Sequence, residues 1–296
     1  MLMINKCCKN SWIFLLAFQV GQVNAQNIAV PIDLVKWEYK GDHFQCLLNQ
    51  KINNFGQVSF IAEPSQKLAF KVESFQLPQS IQIAKLYQWE SPWSRNEQLL
   101  PVGEARQVSN HELIFNGAMD DVLRAMSEGA WLQLSVSSQT LESPVLVQLP
   151  GVHLRDALTE FTRCRAALPA MSYQQARDLT LPFESGQRVA SSQQQQILRD
   201  IAEYVRLDKS VKRILIDGHT DNVGSSLANL QIARVRADDV ASVLEEAGVP
   251  ASLIQVRAHG ARYPVAGNDS ELGQANNRRV TVRVIRRQDD KGSQSD

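Results

Sequence analysis

Near Ala170 the apolar residues of this chain change their spacing, and one rhythm of burial gives way to two. Before that point Leu68, Phe70 and Val72 alternate with Lys67, Lys71 and Glu73, while Leu132, Leu134 and Val136 alternate with Gln133 and Ser135. A period of two puts every apolar side chain on one face of a strand, so this half must bury the faces of sheets. Turn formers at Asn53-Asn54, Glu63-Pro64, Ser91-Pro92 and Pro101 divide the alternation into short lengths, which favours antiparallel pairing, and a short helix is expected near Asp120 to Met126.

Beyond Ala170 strand and helix spacings take turns. Leu179, Leu181 and Phe183 alternate; Ile197, Ile201 and Val205 recur every fourth residue; Ile214 and Ile216 alternate again. Ala233, Ala237, Val240, Leu244 and Ala247 form a second helical stripe, ended by Gly248 before Pro250, and Ile254, Val256, Val280, Val282 and Val284 supply two more strands. The order β-α-β-α-β-β suits one sheet covered by helices. The expected fold class is α+β, a mostly antiparallel β N-terminal domain followed by that second domain. Leu154, Leu158 and Phe161 predict a helix that stops at Pro169, residues 170–177 read as a linker, and the glutamine run 193–196 reads as a solvated helix face opened by Ser191 or Ser192.

The 296 residues suffice for two such domains, and 44% apolar with 21% charged residues excludes wholesale disorder. Lys+Arg and Asp+Glu balance at 31 each, so no broad basic face is implied and nucleic acid is not an expected partner. At the front, Lys6 and Lys9 precede an uncharged run from Ser11 to Val20 and then Val23-Asn24-Ala25, the pattern of a signal peptide over residues 1–25. The run is about half of the ~20 apolar residues a membrane span needs, and no later stretch approaches that length. Export would leave two cysteines, Cys46 and Cys164, and an oxidising compartment makes their pairing the simplest expectation. The domains so delimited are 26–169 and 178–288, with a polar tail at 289–296.

Trp37, Trp89, Trp93 and Trp131 all fall in the first half and read as core aromatics, the alternative being an exposed cluster that marks a partner surface. His43 and His111 lack ligand-spaced neighbours, His219 has no second histidine at helical spacing, and His259 reads as loop-borne, so neither a metal nor another cofactor is expected. No nucleophile, base and orienting group cluster in sequence, which argues against an enzyme. The chemistry that does stand out follows the strand Arg213 to Asp217. A polar turn carries Asp221 just past the strand end, and the next helix carries Asn229 and Arg236 two turns apart on one face. A carboxylate that accepts from an ammonium, beside a guanidinium that grips a carboxylate, matches an amino-acid zwitterion.

Gly218-His219-Thr220-Asp221, Asn229, Arg236-Ala237, Gly248-Val249, Gly260, Pro264, Asn268 and Asn277-Arg278-Arg279-Val280, in this order and spacing, resemble the OmpA-like peptidoglycan-binding domain over about residues 178 to 286. The resemblance implies peptidoglycan as ligand, with its diaminopimelate head group held by Asp221 and Arg236, Asn229 beside them, Phe183 and Glu184 lining the pocket, and Thr220 contributing; Asn277 and Arg278 are secondary, since Arg278 and Arg279 could assist an anionic ligand or equally pair at the sheet edge and with carboxylates inside the domain. Ile232-Ala233 and Glu184 depart from the family's usual Leu-Ser and Asp, which touches packing and the pocket rim. The whole layout, with Cys46 and Cys164 near the ends of the first domain, Phe55-Gly56 and Ser91-Pro92-Trp93, is similar to the MotY family of T-ring components in sodium-driven flagellar motors. That similarity implies a periplasmic, non-catalytic part. Its first domain would bind the basal body and a MotX-like ring protein, helping to recruit PomA/PomB-type stator complexes, while its second domain grips the wall. The alternatives are another periplasmic OmpA-like envelope or secretion-system anchor, and, behind it, a peptidoglycan-remodelling enzyme.

Overall fold

The structure, a computed structural model, describes residues 27–78, 80–91, 93–94 and 98–287. The signal peptide expected over 1–25, the tail at 289–296 and Pro92 of the Ser91-Pro92-Trp93 turn lie outside the described residues.

The first half is built from β1 (Asn27–Ala29), β2 (Trp37–Gly41), β3 (Cys46–Ile52), β4 (Gly56–Ala62), β5 (Ala69–Ser74), β6 (Ile81–Trp89), β7 (Leu100–Glu104), β8 (Arg106–Ser109), β9 (Glu112–Phe115), α1 (Met119–Ser127), β10 (Trp131–Ser138), β11 (Val145–Leu149) and α2 (Arg155–Ala166). Two sheets result, ordered β1-β11-β10-β6-β7 and β2-β3-β4-β5-β9-β8, antiparallel throughout except for the parallel pair β1 and β11. The alternation read from the sequence sets which face is buried. Phe70 and Val72 of β5 and Leu132, Leu134 and Val136 of β10 all lie in one apolar cluster that joins both sheets. Cys46, the first residue of β3, is bonded to Cys164 in α2, which fastens the last helix of this half to its larger sheet.

The tryptophans divide. Trp37 and Trp131 are buried, but Trp93 is 65% exposed, its ring against that of Trp131 at 6.0 Å. The expectation that all four would be core residues is corrected here: Trp93 stands in a turn rather than on an inward strand face.

The connection after Pro169 holds a short helix, α3 (Tyr173–Arg177), opened by a capping box in which Ser172 and Gln175 satisfy each other's backbone donors. The second half continues with β12 (Asp178–Pro182), α4 (Ser192–Leu207), β13 (Val211–His219), α5 (Ser226–Glu246), β14 (Ile254–Gly260), α6 (Glu271–Asn277) and β15 (Arg279–Arg286). Its sheet runs β12-β15-β13-β14, with β15 inserted antiparallel between β12 and β13, and β14 parallel to β13. Leu198, Ile201 and Val205 of α4 and Ala237, Val240 and Leu244 of α5 bury against Ile214, Ile216, Val280, Val282 and Val284. Ser191 caps α4 in the expected place, yet Gln194 is buried rather than solvated. Its oxygen accepts from the Ser191 N–H and its amide donates to the Pro182 carbonyl, so the glutamine run is half structural. His259 lies on β14, not in a loop.

The halves touch through a ring cluster. Phe44, in the turn before β3, packs on Tyr204 of α4 at 5.3 Å, and Tyr204 lies against Tyr173 at 6.2 Å. Arg286 covers Tyr173 at 3.7 Å and donates to Asp208 at 2.7 Å. Ser65 reaches the Ala170 carbonyl at 2.5 Å.

Candidate functional site

The turn after β13 and the helix that follows it set the geometry. Gly218 lets α5 approach the sheet closely, since a Cβ there would stand 2.1 Å from the Ala233 carbonyl oxygen. The chain then leaves the strand through Thr220 and Asp221, and Ser225 caps α5 by accepting from the Ala228 N–H at 3.2 Å. Thr220 O–H donates to the Asp221 carbonyl at 2.9 Å, and Asn229 Nδ2 donates to the same carbonyl at 3.3 Å. Both residues therefore fix the backbone that bears the carboxylate.

Arg236 lies on the side of α5 facing β12 and the loop after it, 2% exposed. Its Nε donates to the Gln187 carbonyl at 2.8 Å and its Nη2 to the Glu184 carbonyl at 3.2 Å, while its guanidinium carbon is 5.2 Å from the centre of the Phe183 ring. Nη1 is buried and has no protein partner. Backbone oxygens thus orient the guanidinium without neutralising it, which leaves a directed donor for an anion. Burial, followed by repulsion from Arg278, holds Arg236 below its usual range, against the opposing pull of Asp221. Asp221 itself is 8% exposed; its Oδ1 accepts from the Val223 N–H at 3.1 Å and its Oδ2 from Arg278 Nη1 at 2.8 Å.

The structure brings Asp221, Arg236, Asn229, Thr220, Phe183 and the Glu184 backbone into one neighbourhood. Asn277 belongs elsewhere. It is 0% exposed, its oxygen accepts from Val265 and Ala266 N–H, and its amide donates to the Ala266 carbonyl and to Asn268. Asn268 in turn accepts from Asn222 N–H at 3.3 Å. Asn277 is a staple for the loop between β14 and α6 and presents no free group to a ligand. Of the two readings open for Arg278, assistance to an anionic ligand or carboxylate pairing inside the domain, the structure shows the second, with Asp221 as the partner, which a 57-residue separation could not name in advance.

Behind this cleft a second polar group is closed on itself. Arg257 donates to both Asp217 oxygens at 2.6 and 2.7 Å, and His259 Nε2 meets Asp217 at 2.7 Å. Burial alone would raise Asp217, but these partners outweigh it and hold the carboxyl below its usual range. His219 stacks on His259 at 5.0 Å, is 6% exposed, and has an Nδ1 with no partner. Burial first, then the charges of Arg279 and His259, push His219 down to about 4. Among the described residues no group of three or more His, Cys, Asp or Glu is arranged to hold a metal ion.

Residues 182–278 match the OmpA family. Residues 29–169 match the MotY N-terminal domain. The chain thus carries a MotY-type N-terminal domain followed by an OmpA-type domain. It is 23% identical over 297 residues to the sodium-type flagellar protein MotY of Vibrio parahaemolyticus, an alignment that spans 94% of this chain and 99% of that protein. The outer-membrane lipoprotein YfiB of Pseudomonas aeruginosa is 42% identical over 74 residues, 25% of this chain and 44% of that protein. Among solved structures, the peptidoglycan-associated lipoprotein of Burkholderia pseudomallei is 28% identical, with a TM-score of 0.34, and the match covers 40% of this chain and 94% of that one. These relatives are named as flagellar and envelope proteins rather than as enzymes. Among the described residues no helix is long and apolar enough to cross a membrane.

Proposed function

We propose that this protein is a periplasmic component of the flagellar motor that ties the basal body to the cell wall. In this reading the second domain binds peptidoglycan through the diaminopimelate head group, whose ammonium meets Asp221 and whose carboxylate meets Arg236. Asn229 and Thr220 hold the turn, the exposed Glu184 stands at the rim, and the buried Phe183 ring packs against the Arg236 guanidinium. The first domain binds the basal body as part of the T ring beside a MotX-like protein, and the assembly holds PomA/PomB-type stator complexes in place. The observation that carries the wall-binding part is the buried Arg236 Nη1, oriented by two carbonyls yet left without a partner, close to a buried carboxylate. The likeness to a flagellar relative along nearly the whole chain supports the motor part.

The test is a peptidoglycan pull-down with Asp221→Ala and Arg236→Ala, each checked for folding by circular dichroism. Loss of sedimentation with the wall in both folded variants is the expected result, and undiminished binding by both would remove the site. For the motor, deletion of the gene should abolish swimming while filaments still assemble. Normal swimming with a leaky envelope would point to a different anchor.

A further inference from the structure

The outer face of the smaller sheet of the first half carries an aromatic group that the cleft of the second half does not use. Leu86 of β6, Leu134 of β10 and Val147 of β11 point into the core, so strand alternation puts Trp89, Trp131, Gln133 and Gln148 on the opposite face. There the register sets Trp131 across from Trp89 and Gln133 across from Gln148. Trp131 is buried without belonging to the apolar cluster between the sheets, and other rings cover it. Trp89 meets it edge-on at 5.6 Å and Trp93 edge-on at 6.0 Å. Braced in this way, Trp93 keeps most of its ring in solvent. Beside it lies a cavity of about 410 Å³ lined by Gln88, Glu90, Ser91, Ser94 and Glu128. That volume falls within the range of small-ligand pockets. The indole N–H groups of Trp89 and Trp131 are buried without a partner.

The charges of this face narrow its occupant. Lys85, on the same face, is spent on Glu104 at 3.3 Å, and among the described residues no Lys or Arg lines the cavity, while Glu90 and Glu128 do. A phosphate, an anionic lipid surface or a nucleic acid would meet carboxylates with no compensating cation. A docked helix needs a row of aliphatic anchors, whereas the side chains around Trp93 are amides, hydroxyls and carboxylates. A flat ring beside groups that donate and accept hydrogen bonds suits a pyranose, which has an apolar C–H face and a rim of hydroxyls. We propose that this face binds a neutral glycan of β-linked, N-acetylated amino sugars. Trp93 stacks on one sugar, and the Gln88 amide pairs with its acetamido group or hydroxyls. Further sugars of the strand lie over Gln133 and Gln148. The sugar backbone of the cell wall has this chemistry, so the first half would hold the wall by its glycan while the second holds the stem peptide. This goes beyond the proposed function and depends on neither Asp221 nor Arg236.

The experiment is calorimetric titration of the full chain with chitotetraose, a neutral β-linked tetramer of N-acetylglucosamine, and with cellotetraose, which has the same linkage but no acetamido groups. Neither sugar carries an ammonium or a carboxylate, so the Asp221 and Arg236 cleft has nothing to grip, and the outcome is independent of the stem-peptide reading. Wild type should bind chitotetraose and prefer it to cellotetraose. Trp93→Ala should weaken binding about fivefold to tenfold, as loss of one stacking ring predicts, while Trp93→Tyr, which keeps a flat ring, should retain most of it. Gln88→Ala should weaken chitotetraose binding as well. Undiminished binding by folded Trp93→Ala overturns the proposal, as does equal affinity of wild type for the two sugars. Should Trp93→Ala not fold, Gln88→Ala decides by the same rule. If wild type ignores both sugars and Trp93→Ala instead loses sedimentation with purified basal bodies, the face is a protein interface and the glycan assignment falls.

Discussion

His219 makes the second domain sensitive to acid in a window separable from ordinary carboxylate titration. Its folded value, about 4, lies below the 6.5 of an unhindered imidazole, so the native state favours the neutral ring and the unfolded chain binds the proton first. The stabilisation is fully present above pH 6.5 and is lost as pH falls toward 4. The whole difference corresponds to roughly 3 kcal/mol, of which about 2 kcal/mol is gone by about pH 5. With a urea slope of about 1 to 3 kcal/mol/M for a domain of this size, the midpoint should fall by about 1 M between pH 7.5 and 5. Asp217 and Asp208 are held below the usual carboxylate range, so their contributions leave only at lower pH. Circular dichroism follows the transition at each pH, beside His219→Asn. Because Nδ1 has no partner, the variant forfeits no hydrogen bond at that atom, and its midpoint should hold nearly steady over the window. If wild type and variant lose equal stability from pH 7.5 to 5, burial of a neutral His219 is not what sets the acid response.

Two other perturbations address the frame. Cys46→Ser opens a covalent loop on the order of 120 residues and should lower the unfolding free energy of the first half by about 2 to 5 kcal/mol, read as an earlier thermal transition; a shift below ~1 kcal/mol would show that the bridge adds little. Gly218→Ala places a Cβ 2.1 Å from the Ala233 carbonyl, so α5 must move. A cost of about 1 to 3 kcal/mol or more is expected, with loss of wall binding as Arg236 shifts, and an unaltered melting temperature would contradict that close approach.

Periodicity was a sound guide wherever one face of an element is buried. Ile201 and Val205, then Ala237, Val240 and Leu244, were readable as helix stripes because their burial follows the 3.6-residue turn, and Val280, Val282 and Val284 as a strand for the same reason. Spacing says nothing about which sheet a strand joins, so the two-sheet arrangement of the first half and the insertion of β15 between β12 and β13 were not legible. Polar residues were misread wherever their burial comes from partners distant in sequence. Gln194 looked solvated but is spent on Ser191 and Pro182; Asn277 looked like a ligand contact but holds a loop; His259 looked loop-borne but stacks on His219 from a strand. Trp93 erred the other way, since a large ring in a turn has no inward face to occupy. The resting partner of Asp221 came only from packing, because Arg278 reaches it through a fold that brings α6 beside the end of β13.

The sulfur bridge of the first half bears on how that half responds to a pull. A pull on the chain just after Cys164 would pass through the bridge to Cys46, beside the turn where Phe44 rests on Tyr204. Every residue between the two cysteines lies inside a closed covalent ring. The sandwich therefore cannot be unzipped strand by strand from its C-terminal end.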